Sequence, residues 1–314
     1  MIFPQRLNDG DQVAIIAPAT IVRPEYIDGA AQVLAAFGLA PVVMPHAKGP
    51  AQGSYAASEA DRLSDFLTAL NDTRIKAILC ARGGYGCVSI LPAVPPSMLR
   101  ANAKWLIGFS DVSALHAMML SAGVASIHGP MAKHLTEEPA DDASTLALLD
   151  MLTKEEPTEY TLPTESDSLC GEAEGVLRGG NLAVLNGLAA TRFDILDVSA
   201  APFDEPDDVI LFMEDIAEPI YKVERVLWRL RLSGTLNRVK GLIFGAFTDY
   251  SPDRNFESME AMIRARILDW GLEGIPVALH FPVGHQVRNL PLMEGSHARL
   301  SITPAATVLR MSAE

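Results

Sequence analysis

Up to about Gly129 the chain alternates short, wholly apolar runs with stretches of helical spacing, and no other feature restricts its fold so strongly. The runs "QVAIIAPA", "APVVMP", "IKAILCA" and "KWLIGF" carry apolar residues at successive positions rather than at every second one. Such strands must be covered on both faces, the condition of a parallel sheet between helices. "EYIDGAAQVLAAFG", "ADRLSDFLTALND" and "DVSALHAMMLSAG" supply the helices. In the second of these, Leu63, Phe66, Leu67 and Leu70 fall at i, i+3, i+4 and i+7, which is one face of an amphipathic helix. The expectation is an α/β fold with an N-terminal doubly wound parallel-sheet domain over residues 1–154.

The pattern breaks between about Glu137 and Gly171. "TEEPADD" and "KEEPTEYTLPTESDS" are acidic and proline-bearing, so 155–171 reads as a linker. Over 172–314 a second domain is expected, strand-rich and α+β. Its Gly-rich turn is "LRGGNLAVLNG", its strands are "DVILFMED", "VKGLIFGAF", "IPVALHFPV" and "ARLSIT", and a helix runs through Val223, Val226, Leu227 and Leu230.

Charge and composition remove several classes of function. A chain of 314 residues carrying 39 acidic and 25 basic side chains has a formal net charge of -14. Nucleic acid and anionic membrane surfaces reward a basic face, so neither is expected as a partner. No run approaches the roughly 20 apolar residues of a membrane span, and "VAIIA" is too short for a secretory core. The three cysteines, Cys80, Cys87 and Cys170, lack CxxC spacing, as expected of reduced thiols in the cytoplasm. No cofactor and no metal is expected, since "HGPMAKH" holds His128 and His134 without a third ligand at a recognisable spacing.

In "LIGFSDVS", Ser110 stands at the hinge between a strand and a helix. A serine there can expose its hydroxyl above the sheet edge, while the amides of the next turn can stabilise an oxyanion. Equally, Ser110 or Asp111 can simply cap the helix. Val112 occupies the position where an α/β-hydrolase elbow wants glycine, so that fold is not supported. His285, in "FPVGHQVRN", follows a strand and a glycine, where a loop histidine is exposed. His116 lies inside a helix, and His46, His280 and His297 have no motif around them. Glu214 ends the apolar run of "DVILFMED", and an acid there needs a partner, because a lone buried charge costs several kcal/mol. Orienting a histidine would provide one; capping the next helix or pairing with Arg225 would also.

Together, "VAIIAPA", "RGGYG", "GFSDVSALH", "HGPM", "LRGGNLAVL", "FMEDIAEPIYKVERVLWRL", "GLIFGAFTD" and "PVGHQVRNLPLMEG" resemble, in order, the LD-carboxypeptidases, serine peptidases that trim murein tetrapeptides. The resemblance runs from about residue 11 to about residue 300. It implies a triad in which Ser110 attacks, His285 acts as base and then acid, and Glu214 orients the imidazole. It also implies an oxyanion hole of backbone amides, those of Asp111 and Gly84. Arg82, which could meet a terminal carboxylate or equally form a sheet-edge salt bridge, and Gly83, whose bare backbone lets substrate approach closely, are the candidate substrate-binding residues. The implied substrate is a cytoplasmic murein tetrapeptide that loses its terminal D-alanine during cell-wall recycling, and the implied assembly is a homodimer.

Three other readings compete. Some members of the family cleave a peptidyl-nucleotide antibiotic and confer immunity, with the same triad. A non-catalytic muropeptide-binding protein would use Ser110 only as a cap. A class I glutamine amidotransferase would need cysteine where Ser110 stands.

Overall fold

The computed structural model describes residues 1–197 and 208–313. They divide into two compact units, Met1–Glu155 with Val287–Glu294, and Glu156–Gln286 with Gly295–Glu314. The sequence boundaries 1–154, 155–171 and 172–314 differ from this division in two places, and strand pairing explains both.

In chain order the strands are β1 (Gln12–Ile16), β2 (Ala40–Val43), β3 (Ile75–Cys80), β4 (Trp105–Gly108), β5 (Ser126–His128), β6 (Thr158–Leu162), β7 (Gly171–Asn181), β8 (Val209–Ile216), β9 (Val239–Thr248), β10 (Val277–Ala278), β11 (Leu292–Glu294), β12 (His297–Ile302) and β13 (Thr307–Ser312). The helices are α1 (Pro24–Ala36), α2 (Glu59–Asn71), α3 (Pro96–Ala101), α4 (Ser113–Ser121), α5 (Ala132–Glu137), α6 (Ala143–Thr153), α7 (Leu182–Asn186), α8 (Ile220–Leu232) and α9 (Met259–Asp269).

The first unit is built on a sheet of order β11-β5-β4-β3-β1-β2. All of its pairings are parallel except β11 with β5. The parallel part, 2-1-3-4-5, is a doubly wound order, and ligands in such sheets bind at the strands' carboxyl ends near the reversal of order. Ile15, Ile16, Ile78, Leu79 and Ile107 are each at most 2% exposed. Each contributes roughly 1.5–3 kcal/mol of hydrophobic stabilisation. β1, β3 and β4 are thus buried on both faces, whereas the edge strand β2 is only partly covered. β11 comes from far along the chain, and its pairing with β5 places residues 287–294 in this unit.

Helix α2 starts where Ser58 accepts a hydrogen bond from the Asp61 amide at 3.1 Å, an N-cap worth about 1 kcal/mol. Its buried face is Arg62, Asp65, Phe66, Ala69 and Leu70, shifted from the apolar stripe read in the sequence. Two ionic side chains displace Leu63 and Leu67 because both find partners inside: Asp65 receives His46, and Arg62 donates to backbone carbonyls.

The second unit holds a mixed sheet, β10-β9-β8-β7-β12-β13-β6. Strands β7 to β10 run parallel, whereas β12, β13 and β6 pair antiparallel. The stretch read as a linker therefore contributes an edge strand. Helix α8 buries Ile220, Val223, Leu227 and Leu230, close to the expected stripe. The run "IPVALHFPV" yields only the two residues of β10, because the backbone turns at His280 (φ 52°). Beyond that turn it still leans on β9: Phe281 donates to the Phe244 carbonyl at 3.0 Å and Ala246 to that of Val283 at 2.9 Å. His285 follows directly.

Candidate active site

In the first unit, the turn after β4 is the centre. Ser110 is half-buried and has φ 65°, a left-handed conformation that costs a non-glycine residue roughly 1–2 kcal/mol. It opens a 3₁₀ turn, Ser110–Val112, which runs into α4. The N-cap positions are Phe109 and Val112, and neither side chain makes a cap bond. The Asp111 carboxylate instead accepts the Cys87 amide at 2.8 Å, tying the elbow to the end of the "RGGYG" loop.

That loop supplies the close approach. A Cβ on Gly83 would lie 2.9 Å from Ser110 Cβ, 3.1 Å from Ser110 Oγ and 3.1 Å from the Asp111 amide nitrogen, so only glycine fits against the serine. Gly84 faces Thr20, whose hydroxyl accepts the Tyr85 amide at 3.0 Å. Arg82 is exposed and donates to the Ile21 carbonyl at 2.9 Å. Ser110, Asp111 and Gly83 are therefore brought together at the carboxyl ends of β3 and β4, while Gly84, next in the loop, packs against Thr20.

The loop's shape depends on Arg62, which sequence reasoning missed. Its guanidinium, 4% exposed, donates to the carbonyls of Pro18 (2.5 Å), Gly86 (2.9 Å) and Ala57 (3.3 Å) and to Ser89 Oγ (3.3 Å). The one available signal was its place four residues before Phe66, on the buried face of the helix.

In the second unit, Glu214 and His285 form a dyad. Glu214 is 0% exposed, and its Oε2 accepts a hydrogen bond from His285 Nδ1 at 2.7 Å. A carboxylate can only accept, so Nδ1 carries the proton and Nε2 is the basic nitrogen. Burial pulls the His285 pKa down, but the hydrogen bond and charge of Glu214 override it, and the net shift is upward. A Cβ on Gly284 (φ 98°) would lie 2.5 Å from Glu214 Oε2, and one on Gly245 would lie 3.2 Å from Glu214 Cβ. Gly284 is thus required by the acid's position, whereas Gly245 is required chiefly by Val283, whose Cγ1 and carbonyl oxygen a Cβ would meet at 2.5 Å.

Neighbouring acids are occupied elsewhere. Asp215 accepts from Asn181 Nδ2 at 3.0 Å and from the Ala183 amide at 2.9 Å. Burial, with Glu214 next to it, pushes the Asp215 carboxyl up to about 6. Glu218 pairs with Lys222 at 3.2 Å.

The rival groups resolve on geometry. His46 has carboxylates at both ring nitrogens, Asp65 at 2.8 Å and Asp61 at 3.5 Å, so neither nitrogen is placed to take a substrate proton. His134 pairs with Asp142 at 2.8 Å, and His280 lies 4.0 Å from Glu260. Cys87 is buried, and burial raises its thiol well above the usual range, which leaves it a thiol and not a nucleophile. Among the described residues, His116, His128 and Glu294 form a buried group of metal-ligating type, with ligand atoms within 4.8 Å of one another. His116 does not fit that role, because Ser126 Oγ and the Gly108 carbonyl already occupy its two nitrogens, each at 2.8 Å. No helix among the described residues is long and apolar enough to cross a membrane.

Residues 13–129 match a family model described as the LD-carboxypeptidase N-terminal domain, and residues 174–300 match its C-terminal counterpart. A protein of Bacillus subtilis named probable murein peptide carboxypeptidase is 30% identical over 313 residues, covering 98% of this chain and 93% of its own. The murein tetrapeptide carboxypeptidase of Pseudomonas aeruginosa is 30% identical over 298 residues, covering 88% of this chain and 89% of its own. The crystal structure of muramoyltetrapeptide carboxypeptidase from Oxalobacter formigenes matches with a TM-score of 0.81 at 27% identity, over 96% of this chain and 98% of that one.

Proposed function

The chain belongs to the LD-carboxypeptidase family, and from that premise we propose that it is a serine carboxypeptidase releasing the terminal D-alanine of murein tetrapeptides. The observation that carries this reading is the buried Glu214–His285 hydrogen bond of 2.7 Å, because a base held in one tautomer is what a serine nucleophile needs.

Ser110 Oγ attacks the carbonyl of the L-configured centre and passes its proton to His285 Nε2. The imidazolium then protonates the leaving amine of D-alanine, and an acyl-serine ester remains. Water, deprotonated by the same nitrogen, hydrolyses that ester and restores the hydroxyl. Glu214 stabilises the imidazolium throughout. The amides of Asp111 and Gly84 receive the oxyanion. The substrate's terminal carboxylate meets Arg82, whose five N–H donors exceed what the Ile21 carbonyl occupies, and the close-fitting backbone at Gly83. The reading includes a homodimer acting in the cytoplasm on peptides released by wall turnover.

Incubation with murein tetrapeptide and mass spectrometry of the products tests this. Free D-alanine is expected, with the pentapeptide and the amidated tetrapeptide cleaved at least about tenfold less well, a difference of about 1.4 kcal/mol. Equal cleavage of the amidated form removes carboxylate recognition. Inertness on every murein peptide, with cleavage of a peptidyl-nucleotide amide, favours the immunity activity instead.

A further inference from the structure

Behind the elbow lies a layer of polar groups that the triad does not use. His116, on α4, is 0% exposed, and so are Ser126 and His128 on β5 and Glu294 on β11. The His116 and His128 rings are 6.0 Å apart between centroids, and the His128 ring is 6.0 Å from that of Phe109, the residue before Ser110. The layer therefore reaches the strained turn through packed rings as well as through hydrogen bonds.

We propose that His116 is a positioning residue for the nucleophile, a neutral imidazole that clamps the end of β4 through its Nε2–H. The proposal rests on the reading of Ser110 as nucleophile. The Gly108 carbonyl, two residues before Ser110, accepts from His116 Nε2 at 2.8 Å and from the Gly129 amide at 3.0 Å. A carbonyl can only accept, so Nε2 carries the proton, and Nδ1 accepts the Ser126 hydroxyl at 2.8 Å. The Gly108 carbonyl thereby selects the tautomer, and the Ser126 hydroxyl, able to donate or accept, satisfies the other nitrogen.

Neutrality follows from the surroundings. Burial pushes the imidazole down to about 4. The facing carboxyl of Glu294 stands opposite Ser126 in the β5–β11 register, with Oε1 4.0 Å from His116 Nδ1, and burial raises it well above the usual range. Burial thus disfavours the charged form of both groups behind the turn. Two donors on one carbonyl hold the last residue of β4, and that restraint helps keep Ser110 at φ 65°.

The test uses full-length His116→Gln, His116→Leu and Ser126→Ala, with kinetics on murein tetrapeptide expressed per folded enzyme. Glutamine can donate to Gly108, so His116→Gln should retain kcat within about fivefold. His116→Leu should lose kcat about 30-fold or more with KM changed less than about threefold. Wild-type kcat in folded His116→Leu overturns the proposal. Imidazole nitrogen NMR should find His116 as the neutral Nε2–H tautomer from pH 8 to 5, in the wild type and in Ser126→Ala alike, because the Gly108 carbonyl remains. An Nδ1–H tautomer, or a stoichiometric metal in the purified protein, also overturns it. Should the wild type release no D-alanine, the activity reading fails by itself. Amide exchange at 110–113 then decides the clamp: it should be at least about tenfold faster in His116→Leu than in His116→Gln, and equal rates sink it.

Discussion

At the residue scale the account depends on which acid holds His285. Glu214→Gln should reduce turnover by about 10³ to 10⁴, because Nδ1 loses a charged acceptor, whereas Glu218→Gln should be milder, since Glu218 faces Lys222. The pH profile carries the sharper sign. His285 must be neutral to act as a base, and Glu214 raises its pKa, so the acidic limb of the wild-type profile lies above the ordinary value of 6.5. In Glu214→Gln the carboxylate's bond and charge are gone, burial is opposed only by the charges of Asp215 and Asp249, and the limb of the residual activity should move down. Comparison of kcat/KM profiles for the two proteins checks this. Gly284→Ala should cost about 10² in kcat or more, because a Cβ there would lie 2.5 Å from Glu214 Oε2 on a backbone of φ 98°. Of these residues, Ser110, Glu214 and His285 stood out in the sequence only as polar breaks in or after apolar runs, equally open to capping or ion pairing, and it is the family resemblance that joined them. The service of Gly284 to Glu214 was not, since it rests on a contact between β8 and a distant loop.

At the element scale the parallel sheet of the first unit was readable from its wholly apolar strands, because burial on both faces is written locally. β11 was not, since three residues far along the chain become a strand only by meeting β5. The run 275–283 read as a full strand for the same reason in reverse: its apolar side chains are buried, yet only Val277 and Ala278 keep sheet geometry. The buried face of α2 moved because Arg62 finds four acceptors inside. Arg62→Lys cannot reproduce that planar fork. It should lower stability by about 2 kcal/mol through unpaired buried carbonyls and also raise KM, as the "RGGYG" loop loses its anchor at Gly86. Denaturant unfolding together with Michaelis kinetics separates the two effects, and an unchanged KM would detach the loop from substrate binding.

At the scale of the whole molecule, burial of titratable groups sets how stability follows pH. His116 has its pKa lowered from 6.5 to about 4, so its contribution is complete above 6.5 and is lost as pH falls toward 4, by roughly 3 kcal/mol. His285 works the other way: with its folded pKa raised, its contribution is complete below 6.5 and is lost as pH rises through the folded value. Asp215, raised to about 6, contributes below the unfolded carboxylate value of 3.8 and loses that contribution as pH climbs through 6. His116→Gln should therefore lose less stability than the wild type between pH 6.5 and 4, by denaturant titration at each pH. The central claim, that Ser110 is the nucleophile of an LD-carboxypeptidase, is tested most directly by measuring D-alanine released from murein tetrapeptide by the wild type and by folded Ser110→Ala. The account predicts release by the wild type and a loss of about 10⁴-fold or more in the variant; near-normal release by Ser110→Ala would contradict it.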